Sequence, residues 1–154
     1  MRLLMLIVAL IVSGAAPAVA GPFEDGITAY KEGDYATARR LLRPLAEQGD
    51  ARAQFSIGAM YTLGQGVPQD YAAAVSWYRK AAEQGEPSAS LPSGMYADGK
   101  GVPLDNVRAH MWFNLSGAQG NADAAKERDI IAARMTPAQI GEAQKLAREW
   151  KPKR

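Results

Sequence analysis

The sequence predicts an all-α protein in which antiparallel helix pairs stack into an α-α superhelix, or solenoid, with a C-terminal capping helix. Three observations predict this fold. The chain repeats itself every 35 to 36 residues, each repeat contains a capped amphipathic helix pattern, and 29 of the 154 residues are alanine, which suits closely packed helices. A period of roughly 20 to 50 residues is typical of stacked units, which must cover one another's apolar faces because no unit can bury its own.

Two comparisons of the chain with itself show the repeat. Residues 64–85, GQGVPQDYAAAVSWYRKAAEQG, recur at 99–120 as GKGVPLDNVRAHMWFNLSGAQG, an offset of 35. Upstream, DYATARRLLRPLAEQGD at 34–50 matches DYAAAVSWYRKAAEQGE at 70–86, an offset of 36. We therefore expect three copies of the second helix of the unit.

Each copy of this second helix carries a start signal and a stop signal. Aspartate stands where an N-cap would accept the free N–H groups of the first turn, and glycine stands where a left-handed residue ends the helix. These residues are Asp34, Asp70 and Asp105 at the starts and Gly49, Gly85 and Gly120 at the ends. Between them, apolar residues follow the spacing of one buried helix face. This stripe includes Trp77, Tyr78, Trp112 and Phe113. Because Trp77, Trp112 and Trp150 all fall on such stripes, we predict that the three tryptophans pack in the core rather than bind carbohydrate.

The first helix of a unit is predicted at 51–64, ARAQFSIGAMYTLG. A glycine inside a helix costs about 1 kcal/mol relative to alanine, so Gly58 indicates close packing against a neighbour. A short linker to the second helix follows. Its glycines can adopt positive φ, and its proline restricts the backbone just before the second helix begins. Its structural positions in the two copies are Gly66 and Pro68, then Gly101 and Pro103.

The third unit departs from the pattern. Its segment 85–96, GEPSASLPSGMY, is one residue shorter than its counterpart and contains Pro87 and Pro92. A proline inside a helix costs about 3 kcal/mol or more, so we expect this helix to be broken or shortened around Ser90 to Ser93. Two interpretations remain open: a degenerate repeat supported by its neighbours, or a notch that exposes backbone groups to a ligand.

The C-terminal segment fits a cap. Residues 121–135 occupy the first-helix position of a further unit, and 136–139, TPAQ, form a capping box with proline at the first helical position. The closing helix has a predicted buried stripe and a polar outer face, as a terminal repeat requires. The stripe residues are Ile140, Ala143, Ala147 and Trp150.

The N-terminus has the layout of a secretory signal peptide. Arg2 precedes an apolar run of ten residues at 3–12, and Ala18-Val19-Ala20 forms an A-x-A cleavage site. The apolar run is shorter than the roughly 20 residues that span a bilayer, so we expect cleavage after Ala20 and no membrane span in the mature protein. Export to the periplasm or to the exterior is the predicted location.

Composition and spacing exclude several kinds of site. The formal charge of +2 is nearly balanced, which argues against nucleic-acid binding; the absence of cysteine and the single histidine disfavour a thiolate nucleophile and a metal site. The G-x-G stretches lack the strand and the further motif of a phosphate loop. We predict no catalytic residue, no cofactor and no metal, and we expect His110 at the surface or half-buried. The charged face of Arg39, Arg40 and Arg43 needs no partner, though it could receive an acidic one.

Three motifs at this period resemble the Sel-1-like repeat (SLR) family, a relative of tetratricopeptide repeats. They are the AEQGDARAQ segment, the G-x-G-V-P-x-D linker and the W-Y-x-K-A-A-E-Q-G helix. The resemblance covers nearly all of the mature chain. It implies a right-handed tetratricopeptide-like superhelix that works as a binding scaffold. The predicted organisation is a signal peptide at 1–20, one repeat domain at 21–150 with units at about 23–49, 50–85 and 86–120 and a cap at 121–150, and a basic tail at 151–154.

The resemblance also implies a function. In such solenoids the first helices line the concave face, which predicts a non-catalytic, monomeric scaffold that binds a protein or peptide there. The candidate groove residues are Tyr30, Lys31, Arg52, Ser56 and Thr62. Two alternatives remain: some family members regulate membrane sensor proteins from the periplasm, and cysteine-rich members have been linked to β-lactam binding and hydrolysis, although this chain lacks their cysteines. The sequence does not name the partner.

Overall fold

The computed structural model describes residues 20–85 and 91–152, and in this part of the chain all regular structure is α-helical. The helices are α1 (Pro22–Lys31), α2 (Tyr35–Glu47), α3 (Ala51–Leu63), α4 (Tyr71–Glu83), α5 (Leu91–Asp98), α6 (Asn106–Ala118), α7 (Ala122–Ala132) and α8 (Pro137–Glu149). The predicted signal peptide lies outside the described residues, except for Ala20. The predicted all-α architecture is confirmed.

The three second helices, α2, α4 and α6, begin at the predicted aspartates. The Asp34 carboxylate accepts a hydrogen bond from the Thr37 N–H at 3.0 Å, and Asp70 does the same for Ala73 at 3.0 Å. Asp105 accepts from the Arg108 N–H at 2.9 Å. Each carboxylate therefore satisfies a donor that the first turn of the helix leaves without an internal partner.

The same three helices end in a left-handed glycine. The φ angles are +100° at Gly49, +85° at Gly85 and +96° at Gly120, a region that other residues enter only with strain. At the end of α2 the chain reverses tightly, because the Gly49 N–H donates to the Ala46 carbonyl and the next N–H donates to the carbonyl of Leu45. The reversal brings α3 back against α2.

Helix packing follows the order of the chain. The pairs α1–α2, α3–α4 and α5–α6 pack together, and α2 also packs on α3 and α6 on α7. The buried side chains form two clusters, one from α1, α2 and α3 and the other from α4 to α8. Tyr61 of α3 packs at the edge of both clusters. The core is therefore continuous along the stack rather than gathered at one centre.

The second glycine of each linker, Gly66 or Gly101, packs on the unit that precedes it. A β-carbon added to Gly66 would lie 2.9 Å from the Tyr35 carbonyl oxygen, and one added to Gly101 would collide with the backbone of Tyr71. Tyr35 and Tyr71 are the first residues of α2 and α4. The linker of one unit thus sits on the start of the second helix of the unit before, at a distance that only glycine permits.

The C-terminal helices have the predicted caps but an unexpected arrangement. Asn121 caps α7, and Thr136 and Gln139 form the reciprocal capping box of α8. Instead of pairing with α7, α8 packs on α6, where the ring of Trp150 meets that of Trp112 edge-on at 5.7 Å. Helix α6 is consequently covered by both α7 and α8.

Two expectations about individual residues concern Pro92 and Trp77. Pro92 lies in α5, whose described part begins at Leu91. Residues 86–90, with Pro87, lie outside the described part, so the predicted break or shortening around Ser90 to Ser93 stays a prediction. Trp77 is only half-buried, with the Lys80 ammonium 4.3 Å from its ring centre, whereas Trp112 is buried.

Candidate interaction surface

Arg52 stands in the first turn of α3 and joins it to α1. Its guanidinium lies 4.0 Å from the centre of the Phe23 ring and 3.7 Å from a carboxylate oxygen of Glu24. A second carboxylate, the N-cap Asp50, lies 3.5 Å away. The side chain nevertheless remains 56% exposed, so its charge faces solvent beside an aromatic ring.

The hydroxyl groups of the other two α3 candidates bond to their own helix. Ser56 Oγ donates to the Arg52 carbonyl at 2.9 Å, and Thr62 Oγ1 donates to the Gly58 carbonyl at 3.0 Å. Thr62 also lies 3.1 Å from the hydroxyl of Tyr78 on α4, a residue whose pKa is raised by burial. Thr62 therefore belongs to the joint between α3 and α4.

Tyr30 belongs to a third network, at the linker after α3. Its hydroxyl donates to Gln65 Oε1 at 2.5 Å, and the Gln65 amide donates to the hydroxyl of Tyr35 at 2.9 Å. Partial burial, with a smaller effect of Tyr35, raises the pKa of Tyr30. The adjacent Lys31 is exposed at the end of α1. Three of the five predicted groove residues, Arg52, Thr62 and Tyr30, thus belong to three separate networks, and the role of all five in binding stays a prediction.

One face of α3 is only partly covered by its neighbours. With α2 and α4 packed on its other sides, the helix presents Arg52, Ser56, Ala59 and Leu63, whose spacing of four, seven and eleven residues from the first keeps them on one line. Leu63 is 59% exposed, an unusual state for a large apolar side chain in this molecule. The line has a cationic end and an apolar end.

The structure contains a cleft that the sequence did not predict, between α7 and α8 and above α6. We call it the cap cleft; its volume is about 510 Å³. It is lined by His110, Asn114, Arg128, Asp129, Ala132, Ile140, Gln144 and Arg148. It exists because α7 and α8 both pack on α6 and touch each other at most slightly.

His110 lies in this cleft and corrects the sequence expectation. It is 3% exposed, not a surface or half-buried residue, and its Nδ1 has no hydrogen-bond partner. The repeat alignment indicates burial at this position, because His110 is equivalent to Val75, which is also 3% exposed. An unpartnered buried polar atom is costly, so this position needs an explanation that packing alone does not supply.

Charges around His110 favour its neutral form. Burial lowers the pKa of the imidazole and the nearby Arg128 lowers it further, while Asp129 partly opposes both. Arg128 donates to Asp129 Oδ1 at 2.7 and 2.9 Å and to Asn114 Oδ1 at 3.4 Å, so its guanidinium is held in place. In the described part of the chain, no carboxylate lies within ion-pair distance of Arg148.

Neither surface has the donor set of a metal site. Among residues 20–85 and 91–152, no group of three histidine, cysteine, aspartate or glutamate side chains is placed to hold a metal ion. The helices in these ranges also include none with the length and apolar character needed to cross a bilayer. The chemistry that these surfaces offer is hydrogen bonding, ion pairing and apolar contact.

Comparison with known families identifies the repeat. The Sel1 repeat model matches the chain at residues 23–50, 51–86 and 94–121. The chain belongs to the Sel1 repeat family. Proteins built from Sel1 repeats are helical scaffolds that typically mediate protein–protein interaction. The resemblance found in the sequence is therefore confirmed at the level of the family.

Solved structures with the Sel1 repeat, or SLR, fold resemble this one. A protective antigen present in uropathogenic Escherichia coli strains, which displays an SLR fold, is 30% identical over 83% of the chain with a TM-score of 0.79. The chain spans only 28% of that antigen's length. A Sel1 repeat protein from Oxalobacter formigenes is 38% identical, with a TM-score of 0.63, over 70% of this chain and 85% of its own. No curated protein gives a significant match. These likenesses confirm the solenoid.

Proposed function

We propose that this Sel1 repeat protein is a non-catalytic, exported scaffold that binds a protein or peptide partner along the concave face formed by its first helices. The observation that supports the proposal is the open line on α3, from Arg52 to Leu63, whose two end residues are exposed and whose middle residues are half-buried. The role typical of Sel1 repeats supports the same function.

The line on α3 also suggests the form of the partner. Eleven residues of helix separate Arg52 from Leu63, which corresponds to about 16 Å at the rise of an α-helix. An extended chain covers that length in about five residues. A segment with an acidic residue at one end and an apolar residue about five positions away would match the guanidinium beside Phe23 and the exposed Leu63.

Site-specific photo-crosslinking in cells tests the binding face. A photoreactive residue at Ser56, on the open line, is expected to give a defined crosslinked partner, and Arg52→Glu in the same chain is expected to reduce its yield. The matched control is the same photoreactive residue at Ser76, an exposed serine on the second helix α4. Equal products from both positions, or a yield that Arg52→Glu leaves unchanged, would contradict the proposed face.

Export is the second part of the proposal and has its own test. The arrangement of Arg2, the apolar run and the A-x-A site supports cleavage after Ala20. The intact mass of protein recovered from the periplasm should correspond to residues 21–154. A mass that retains Met1 would contradict cleavage and leave the binding proposal untouched.

A further inference from the structure

We propose that the cap cleft is a binding site for a carboxylate group of a peptide, either a C-terminal carboxylate or an aspartate or glutamate side chain. This site is separate from the concave face, because it is formed by α6, α7 and α8 and not by α1 and α3. The proposal therefore does not depend on the one for α3.

The first observation is the unpartnered histidine. His110 is 97% buried, yet its Nδ1 has no partner, while the ring lines a cleft large enough for one or two amino-acid residues. Buried polar groups in folded proteins are nearly always hydrogen-bonded. Because Nδ1 itself is closed to solvent, a ligand in the cleft would contact other atoms of the imidazole ring and exclude water from this floor.

The second observation is the balance of charge in the cleft. Two guanidinium groups, Arg128 and Arg148, face one carboxylate, Asp129, which Arg128 already engages through two hydrogen bonds. One positive charge, on Arg148, has no partner among the described residues. The planar fork of a guanidinium suits a carboxylate, because the two groups can form parallel hydrogen bonds.

The same balance favours a carboxylate over a phosphate. A single uncompensated positive charge matches a monoanion, whereas a phosphate dianion would lie near Asp129 without a second free cation. The amides of Asn114 on α6 and Gln144 on α8 can donate to a neighbouring peptide carbonyl. The site thus has a charged end for the carboxylate and polar walls for the backbone that carries it.

The imidazole of His110 offers a direct readout, because it is the only histidine of the chain. The full mature protein is titrated with three peptides while the imidazole signals are followed by NMR. Acetyl-Ala-Ala-Ala with a free C-terminus carries only a terminal carboxylate, acetyl-Ala-Asp-Ala-amide only a side-chain carboxylate, and acetyl-Ala-Asn-Ala-amide neither. We expect saturable shifts of the imidazole signals with at least one carboxylate peptide and none with the neutral peptide. The carboxylate peptide that binds more tightly shows whether the site prefers a C-terminal or a side-chain carboxylate.

Variants separate binding from general charge effects. Arg148→Gln is expected to weaken carboxylate binding about tenfold, because it removes a charge-assisted hydrogen bond from an exposed position. Arg134→Gln removes an exposed arginine outside the cleft and should leave the affinity unchanged. Equal shifts with the neutral peptide, tighter binding of inorganic phosphate at matched ionic strength, or an unchanged affinity in Arg148→Gln would each overturn the proposal. Photo-crosslinking at Ser56 does not report on this site, so the two proposals can fail separately.

Discussion

The backbone of Gly58 in α3 lies directly against the ring of Tyr78 in α4. A β-carbon on Gly58 would lie 2.7 Å from Cε1 of that ring, closer than carbon atoms approach in folded proteins. Tyr78 is 2% exposed, and its hydroxyl is close to Thr62, so the ring cannot move aside easily. The pair sets the spacing between the two helices of the second unit.

Gly58→Ala should therefore destabilise the protein even though alanine favours helices. We expect the free energy of unfolding to fall by about 1 to 3 kcal/mol, as for other overpacked cores. Gly141→Ala is the matched control, because Gly141 lies inside α8 with no atom near the added methyl group. This variant should gain about 0.5 to 1 kcal/mol. Urea denaturation measures both, and a stabilised Gly58→Ala would contradict the contact.

Gly101→Ala should cost more than Gly120→Ala, although both glycines have positive φ, +72° and +96°. At Gly120 the methyl group meets nothing, so only backbone strain of about 1 to 2 kcal/mol is expected. At Gly101 it would also collide with the backbone of Tyr71, adding about 1 to 3 kcal/mol. Denaturation midpoints compare the two, and equal losses would show that the linker does not press on the preceding unit.

The stability of the protein should fall as His110 becomes protonated. Burial and Arg128 hold its pKa below the ordinary value of 6.5 in the folded state, so the unfolded chain binds the proton more readily. Stability from this group is complete above about pH 6.5 and is lost as the pH falls through the folded pKa. An NMR titration of the imidazole gives that pKa, and unfolding measured at several pH values gives the slope. A folded pKa of 6.5 or higher would contradict the described environment.

Trp150→Ala should loosen the cap. The indole meets Trp112 edge-on at 5.7 Å and lies half-buried beside the larger core cluster, so its removal should cost about 2 kcal/mol. Lys151→Ala, at the next and exposed position, is the control and should have little effect. Thermal unfolding followed by circular dichroism distinguishes them. Equal melting temperatures would mean that α8 is held by its other contacts alone.

The regular parts of this fold could be predicted from the sequence because their signals are local. An aspartate at an N-cap and a glycine after the last turn act within one turn of helix, so Asp70 and Gly85 mark the ends of α4 without knowledge of its neighbours. The repeat period of 35 to 36 residues predicted that the helix pairs stack on one another. Gly58 is an intermediate case, since the sequence indicated a close approach but not that Tyr78 would make it.

The cap cleft could not be predicted because it depends on which helix α8 packs against. The capping box at Thr136 fixes where α8 begins, but its position on α6 rather than α7 follows from shape, including the contact of Trp150 with Trp112. The burial of His110 was predicted wrongly for a different reason. Its residue type suggested exposure, while its position in the repeat, equivalent to Val75, required burial, and the position decided the outcome.

The groove residues show how far a family resemblance carries a site. It identified the helices, but the side chains of Tyr30 and Thr62 are engaged in joints within the protein. Leu63, which is 59% exposed at the end of α3, was not among the candidates because all five of them are polar. Contacts between units decide which side chains remain available.

The packing of Gly66 and Gly101 on the preceding unit determines where repeats can be added to a protein of this kind. Residues 66–100 contain both halves of a joint: Gly66, which rests on the earlier unit, and Tyr71, which receives the next glycine. A tandem duplication of these 35 residues would therefore lengthen the array in its middle with every joint intact. Addition after α6 is different, because that helix begins with Asn106 and is covered by α8. Duplication can thus vary the length of the array while both of its ends stay as they are.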